Sequence, residues 1–413
     1  MARFLDVYLN TDLVGQLEQD NSGTLRFRYD ASWLRSTKAF PLSVSLPFQD
    51  APFNRRECRP FFAGLLPEET QRELVAGAFG ISKQNDFALL DKIGGECAGA
   101  VSLMQPGEQP NAAGWSTKAL SLDDLEHRIL ELPRKPLLAG QQGLRLSLAG
   151  AQSKMALVVE DGGYGIPLYG APSTHIIKPQ SLHFGHLVEN EFFCMKLASD
   201  VGLNAAQVEI GQAVRERFLQ IKRYDRSPSQ DGGYERIHQE DFCQALSYAP
   251  ELKYQQEGGP GLKQLFELIR RVSSAPAVDV LQLFDVVTFN CLIGNGDAHG
   301  KNFSLLYSKA GTRLAPFYDL LCTHAYPELD RCFAMKIGKE RDPEKIRKSD
   351  WLALISETGL NATAALKRMA GLTKKVHSAL LRGTDPCPGN QQVINAIRGN
   401  VDRIRRTLGF DTL

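Results

Sequence analysis

Leu281 to Ile293 is a strongly apolar run at helical spacing. It leads directly into Gly294-Asn295-Gly296-Asp297-Ala298-His299-Gly300-Lys301-Asn302-Phe303. A helix this apolar belongs inside a core, so the polar residues at its end are delivered to one fixed place. Polar groups crowded after a buried helix need a reason. No stretch approaches about 18 uninterrupted apolar residues, and Met1 to Asp6 shows no cleavage pattern, so neither a membrane span nor secretion is expected.

The remainder of the chain divides in character. At about 150 residues per domain, 413 residues suggest two or three folding units. Phe4 to Asn10 and Leu25 to Tyr29 alternate as strands around a turn at Asn21-Ser22-Gly23. Pro41 to Pro47 reads as an edge strand. Pro67 to Phe79, Asp86 to Ile93 and Leu120 to Leu132 read as helices, and Ala100 to Met104 as a strand. A polar loop is expected over 105–116. A second β-rich block follows: Leu144 to Leu148, Lys154 to Glu160, Thr174 to Lys178, Val208 to Ile210, Gln212 to Arg215 and Arg217 to Arg223. One helix, Leu187 to Val201, is inserted among them. Beyond about residue 227 strands become scarce. Helices are expected over 239–246, 261–272, 278–291, 348–358, 362–369, 373–381 and 391–408, with one short hairpin at 304–307 and 312–315. The expectation is an α+β fold with a β-rich front and a helical back. It divides into an N-terminal subdomain at 1–110, a second β-rich part at 111–226 and a helical part at 227–413, with a cleft near 222–228.

Charge and cysteine content narrow the function. Lys plus Arg is 48 against 47 Asp plus Glu, so general polyanion binding is disfavoured, while a local patch stays possible. Arg341, Lys345, Arg347 and Lys348 are the candidate patch, with a solvated charge run as the simpler reading. Eight scattered cysteines, with no Cys-x-x-Cys, read as reduced thiols of a cytoplasmic protein.

Asp297 and Asn302 stand five residues apart, the spacing of the catalytic-loop Asp and a magnesium-ligand Asn in protein kinases. A short irregular loop can point one side chain at an acceptor hydroxyl and the other at a metal. Asp319 follows 17 residues after Asn302, just beyond the expected hairpin, and Mg2+ favours such carboxylate and amide oxygens. A solvated turn is the competing explanation for Asp297 and Asn302 alone.

Ser147-Leu148-Ala149-Gly150-Ala151-Gln152-Ser153-Lys154 is a second signal, since small residues at a turn let backbone N–H groups approach an anion. It matches no standard phosphate-loop motif, and a plain hairpin turn is the alternative. Lys178 ends a strand and can neutralise nucleotide phosphates; Glu191, on the next helix, could support Lys178 or the metal site. A surface lysine and a solvated glutamate are the competing readings. His183 and His186 lack companions at zinc-like spacing and are read as loop residues.

In this order the residues also carry a family resemblance. Phe61 to Pro67 (FFAGLLP), Leu146 to Leu157, Thr174 to Lys178, Glu189 to Phe193 and Arg223 to Arg226 resemble the HipA family of serine/threonine kinase toxins from bacterial type II toxin–antitoxin modules. Tyr254 to Gly261, Gly294 to Phe303 and Pro316 to Asp319 extend the resemblance over nearly the whole chain.

The resemblance implies a two-lobed, protein-kinase-like fold with ATP held between the lobes. It implies that Asp297 receives or orients the substrate hydroxyl and that Asn302 and Asp319 bind Mg2+. Ala149, Gly150, Ala151, Gln152 and Ser153 would form the phosphate loop. Lys178, Lys222, Tyr224, His299 and Lys301 would complete the ATP contacts, and Ser147 would be the autophosphorylation site. Relatives often carry Glu where this chain has Lys222 at the lobe junction, and Glu where it has Ser153. The implied substrate is an aminoacyl-tRNA synthetase, most often the glutamyl enzyme. The implied partner is a HipB-like helix-turn-helix antitoxin that makes most of the operator DNA contacts. A small-molecule kinase of the aminoglycoside or choline type, and an inactive co-repressor, are the alternatives.

Overall fold

The computed structural model describes residues 2–110, 115–140, 143–229, 233–382 and 390–410. In chain order the elements begin with β1 (Arg3–Leu9), β2 (Asp12–Gln19), β3 (Leu25–Tyr29), α1 (Ala31–Arg35), α2 (Arg55–Gly64), α3 (Glu69–Ala78) and α4 (Asp86–Ile93). They continue with β4 (Val101–Met104), β5 (Ser116–Leu120), α5 (Leu122–Glu131), β6 (Met155–Glu160), β7 (Gly163–Leu168) and β8 (His175–Pro179). Next come α6 (Leu187–Asp200), β9 (Val208–Gln212), β10 (Arg217–Lys222), β11 (Arg226–Pro228), β12 (Tyr234–Arg236), β13 (His238–Asp241) and α7 (Phe242–Ala245). The chain ends with α8 (Leu262–Val272), α9 (Pro276–Ile293), β14 (Ser304–Ser308), β15 (Gly311–Leu314), α10 (Lys348–Glu357), α11 (Ala362–Arg382) and α12 (Asn390–Leu408).

Two compact units arise, and the chain passes back and forth between them. The first takes Met1–Pro179, Gly211–Glu251 and Leu306–Ser308; the second takes Gln180–Ile210, Leu252–Leu305 and Lys309–Leu413.

The first unit is β-rich. A four-stranded antiparallel sheet runs β3-β2-β1-β4, with a bulge between Val7 and Tyr8. β3 shows why its alternation works: Leu25, Phe27 and Tyr29 are buried while Arg26 and Arg28 face solvent. Phe27 packs on Phe62 of α2 at 5.3 Å between ring centroids. α2 begins with an Asn54–Glu57 capping box. In the second sheet β5, β7, β6, β8 and β10 follow in that order, and Lys178 of β8 stands opposite Leu219 of β10.

The second unit is mainly helical. α9 is apolar almost all round, starts on Pro276 and packs against α8, α11 and α12. It is the one helix among the described residues long and apolar enough to cross a membrane, and most of it is buried. It stops at Gly294, where φ is +72° and an added Cβ would sit 2.6 Å from the His324 ring. On α9, Asp279 is fully buried and takes a two-pronged ion pair from Arg313 of β15.

Several sequence expectations are corrected. Pro41 to Pro47 is a turn and not a strand: its polar groups pair with side chains, Leu42 N with the Tyr29 hydroxyl and Val44 N with Glu240. Leu144 to Leu148 is extended but pairs only at Leu146, with Glu96. β9 ends at Gln212, because Ala213 N turns back to Glu216 O. The helix expected over 239–246 shrinks to α7, preceded by β13, because Asp241 and Gln244 form a capping box that fixes the helix start. The two helices at 362–369 and 373–381 are one, since Leu372 and Thr373 continue the buried face. β11 and β12 add a small ribbon beyond 225 that the sequence reading missed. Seven cysteines are free thiols, six of them buried. Cys387 and part of the polar loop, 111–114, lie outside the described residues.

Candidate functional site

In the second unit, the loop after α9 is built from short-range hydrogen bonds. Asp297 O accepts from His299 N at 2.8 Å, and His299 O accepts from Asn302 N at 3.0 Å. Gly300 to Asn302 form a single 3₁₀ turn. Asp297 is exposed, and Asn302 is buried.

Asn295 joins this loop to the segment that carries Asp319. Its Oδ1 accepts from Asp297 N at 3.2 Å, and its Nδ2 donates to Asp319 O at 3.2 Å. Tyr318 adds a second staple, donating to Lys301 O at 2.8 Å and lying 2.6 Å from Ser304 Oγ. One buried amide and one phenol thus hold Asp297, Asn302 and Asp319 in one local framework. Asp319 is half-buried, with φ at +53°. Left-handed backbone is uncommon outside glycine, Asn and Asp, and it re-aims the side chain.

Sequence reasoning passed over two residues here. Asn295 sits between two glycines, in a stretch that reads as turn punctuation. Tyr254 lies in a conspicuous segment with no assigned role; its hydroxyl donates to Asp297 Oδ1 at 2.7 Å. Its ring meets the buried His299 ring edge-on at 5.1 Å. Lys301 is also buried. Two of the four residues of the basic run are ion-paired: Arg341 lies 3.6 Å from Asp330, and Lys345 lies 2.9 Å from Asp342.

In the first unit the small-residue loop is closely held. Ser147 is fully buried and donates from Oγ to Leu65 O at 2.7 Å and from N to Glu96 O at 2.8 Å. Lys154 Nζ donates to Ala149 O at 2.7 Å, and Ser153 Oγ accepts from Gln71 Nε2 at 3.3 Å. Gly150, Ala151, Gln152 and Ser153 are partly exposed. Lys178 is buried on β8, not a surface lysine. Glu191 belongs to the second unit, buried on α6 rather than solvated.

The segment carrying Lys222 and Tyr224 is fixed by a buried ion cluster in the same unit. Lys222 is exposed, and Tyr224 donates to Gln239. Below them, Arg223 grips Asp225 through two bonds of 2.7 and 2.9 Å, and Arg226 reaches Glu96 at 2.8 Å. Gly99 N donates to Asp225 at 2.8 Å, and Ser173 donates to Glu96 through both N and Oγ. Burial alone would raise both carboxyls. The guanidiniums outweigh it: Arg226, Arg223 and Arg236 lower Glu96, and Arg223 and Arg226 hold Asp225 well below the usual range. His175, opposite Lys222 in the β8–β10 pairing, is pushed down to about 4 by burial and then by the Lys222 charge.

The donor chemistry fits a hard divalent cation. Asn302 and Asp319 offer one amide and one carboxylate, a set that leaves coordination positions for phosphate and water as Mg2+ requires. Among the described residues no group of three or more His, Cys, Asp or Glu forms a cage for a different metal.

Comparison with known proteins extends the picture. A profile of the HipA-like C-terminal domain matches residues 146–380, and one of the HipA N-terminal domain matches residues 5–104. The chain is similar to the putative kinase Y4mE of Sinorhizobium fredii, at 49% identity over 92% of each chain. It is also similar to the serine/threonine-protein kinase toxin HipA of Shewanella oneidensis, at 30% identity over 91% of this chain and 88% of that one. Among solved structures, the Shewanella oneidensis complex of HipA, HipB and operator DNA matches with a TM-score of 0.85. The identity there is 28%, and 98% of each chain is covered.

Proposed function

The chain belongs to the HipA family of toxin kinases, and we propose that it is an ATP- and Mg2+-dependent serine/threonine kinase acting on a protein. The observation that carries this reading is the bridge through Asn295, which ties Asp297 and Asp319 into one framework with Asn302.

In this reading the exposed Asp297 carboxylate accepts the hydrogen bond of the substrate serine and orients its oxygen for attack. Asn302 and Asp319 hold Mg2+, which when bound neutralises charge on the transferred phosphoryl group. Lys178 and the backbone N–H groups of 149–153 bind the phosphates of ATP. Lys222, Tyr224, His299 and Lys301 contribute the remaining nucleotide contacts. Glu191 supports the set from α6. The parts 1–110, 111–226 and 227–413 serve as N-terminal subdomain, nucleotide-binding part and catalytic part.

Ser147 is the proposed autoregulatory site. A phosphate there adds about −1.5 to −2 charge to a fully enclosed position. The bond to Leu65 O is lost and the loop must leave its seat, taking ATP binding with it. The proposed substrate is an aminoacyl-tRNA synthetase, glutamyl type first, whose modification arrests translation in the cytoplasm. The proposed partner is a HipB-like antitoxin that carries operator DNA recognition, as in the Shewanella complex.

The test is incubation with labelled ATP, Mg2+ and cell lysate, followed by phosphosite mapping, with Asp297→Gln in parallel. Asp297 is exposed, so the variant should fold normally and transfer almost nothing. Wild-type-like labelling by the variant sinks the assignment, as does equal ATP affinity of the Ser147-phosphorylated and unmodified forms for the autoregulation.

A further inference from the structure

Two turns lie outside the set of residues proposed to touch ATP: the one that ends Phe61 to Pro67, and Gly94-Gly95-Glu96 after α4. Both converge on the segment 145–153, within one compact unit. We propose that these two turns brace the phosphate loop, making Gln71 and Gly95 positioning residues for nucleotide binding. The inference rests on the reading of 149–153 as that loop.

The first turn supplies three contacts. Leu65 is the C-cap of α2, and its carbonyl receives the Ser147 hydroxyl at 2.7 Å, so a helix-end acceptor is satisfied by the loop's own side chain. Pro67 and Gly150 form a parallel bridge, with Glu68 N donating to Gly150 O at 3.3 Å. Gln71, in the first turn of α3, donates to Ser153 Oγ at 3.3 Å. The backbone at Glu69 is held at φ +47°, a strained state for a residue with a side chain, directly after the donor Glu68.

The second turn acts on the segment leading into the loop. Glu96 and Leu146 form a parallel bridge, with Glu96 N donating to Arg145 O at 2.7 Å and Ser147 N to Glu96 O at 2.8 Å. Gly95 permits that approach: a Cβ there would sit 2.7 Å from Arg145 Cβ and 2.9 Å from Arg145 O. Glu96 is itself anchored by Arg226 and Ser173. A loop of small residues has little side-chain packing of its own, so its backbone shape must be imposed from outside. Two separate turns of the preceding chain impose it.

The experiment compares wild type, Gln71→Ala and Gly95→Ala by steady-state kinetics in MgATP and by amide hydrogen exchange. Losing one such contact should raise the KM for MgATP about two- to tenfold with a smaller change in kcat. Amides of 148–153 should exchange faster while those of β1 and β2 keep wild-type rates. Unchanged KM, unchanged loop exchange, or acceleration that extends equally into β1 and β2 overturns the proposal. If Gly95→Ala does not fold, Gln71→Ala decides alone, since its side chain touches the loop from an exposed helix. If wild type neither binds nor turns over MgATP, the kinase reading fails, and the exchange arm still decides whether the brace exists.

Discussion

Asn295 donates to the main-chain carbonyl of Asp319 at 3.2 Å across 24 residues of sequence. Its other side-chain atom receives Asp297 N, so one amide, 1% exposed, sets the spacing of two carboxylate-bearing segments. Asn295→Asp keeps the acceptor and loses the donations to Asp319 O and Asn290 Oδ1. Stability should fall by about 1–3 kcal/mol, the cost of stranding buried acceptors, read by urea denaturation. Phosphotransfer should fall more than about tenfold, because small displacements of reacting groups are costly. Wild-type turnover in this variant would remove Asn295 from the site.

Tyr254 holds Asp297 by one carboxylate oxygen. Tyr254→Phe removes that bond and keeps the ring against His299. We expect kcat to drop about three- to tenfold, with KM for MgATP within about twofold of wild type. A rise in kcat would mean that the phenol blocks the acceptor position instead of orienting the carboxylate.

The buried cluster holds three guanidiniums, of Arg223, Arg226 and Arg236, against the carboxylates of Glu96 and Asp225. Glu96→Gln leaves one carboxylate for three cations, and breaking a buried pair typically costs about 3–5 kcal/mol. Denaturation at neutral pH should show a loss of that order. A loss below roughly 1 kcal/mol would mean that water reaches the cluster and screens it.

Glu240 is buried with Ser43, Val44 N and Tyr307 around it. Burial pushes its carboxyl up to about 7, against the lowering effect of those hydrogen bonds. A raised carboxyl means that the folded state holds a proton the unfolded chain has released. Stability from this group is therefore full below about pH 4.5 and lost as pH rises to about 7, amounting to roughly 3 kcal/mol. His238 and His175, both lowered to about 4 by burial, work with the opposite sign over about pH 4 to 6.5. The measurement is thus the difference between wild type and Glu240→Gln, by urea denaturation at pH 5 and pH 7.5. Wild type should lose more on going to pH 7.5 than the variant does; parallel curves would contradict the assignment.

Much of this was legible in the residues. The Leu281–Ile293 run announced a buried helix, and the polar loop after it does carry a locally organised constellation. LRFRY and Asp86–Ile93 fell on β3 and α4 residue for residue, because alternation and a strong helical face leave little ambiguity. The failures share a physical cause. Pro41 to Pro47 and Leu144 to Leu148 alternate like strands, but their backbone partners are side chains and single bridges supplied by distant parts of the chain. Asn295 and Tyr254 were missed for a related reason: a turn-type Asn and a lone Tyr carry no periodic signal, and their importance lies wholly in what they touch.

The left-handed backbone at Asp319 bears on how such a chain can decay. Asparagine has nearly the same shape and is among the few side chains at ease in that conformation. Replacing Asp319 with Asn therefore deletes a negative charge without disturbing the turn, whereas most other replacements add strain. Selection for foldability alone would be blind to the change. On the proposed metal role of Asp319, copies with and without its carboxylate would be equally stable, equally abundant and still differ by one oxygen traded for nitrogen.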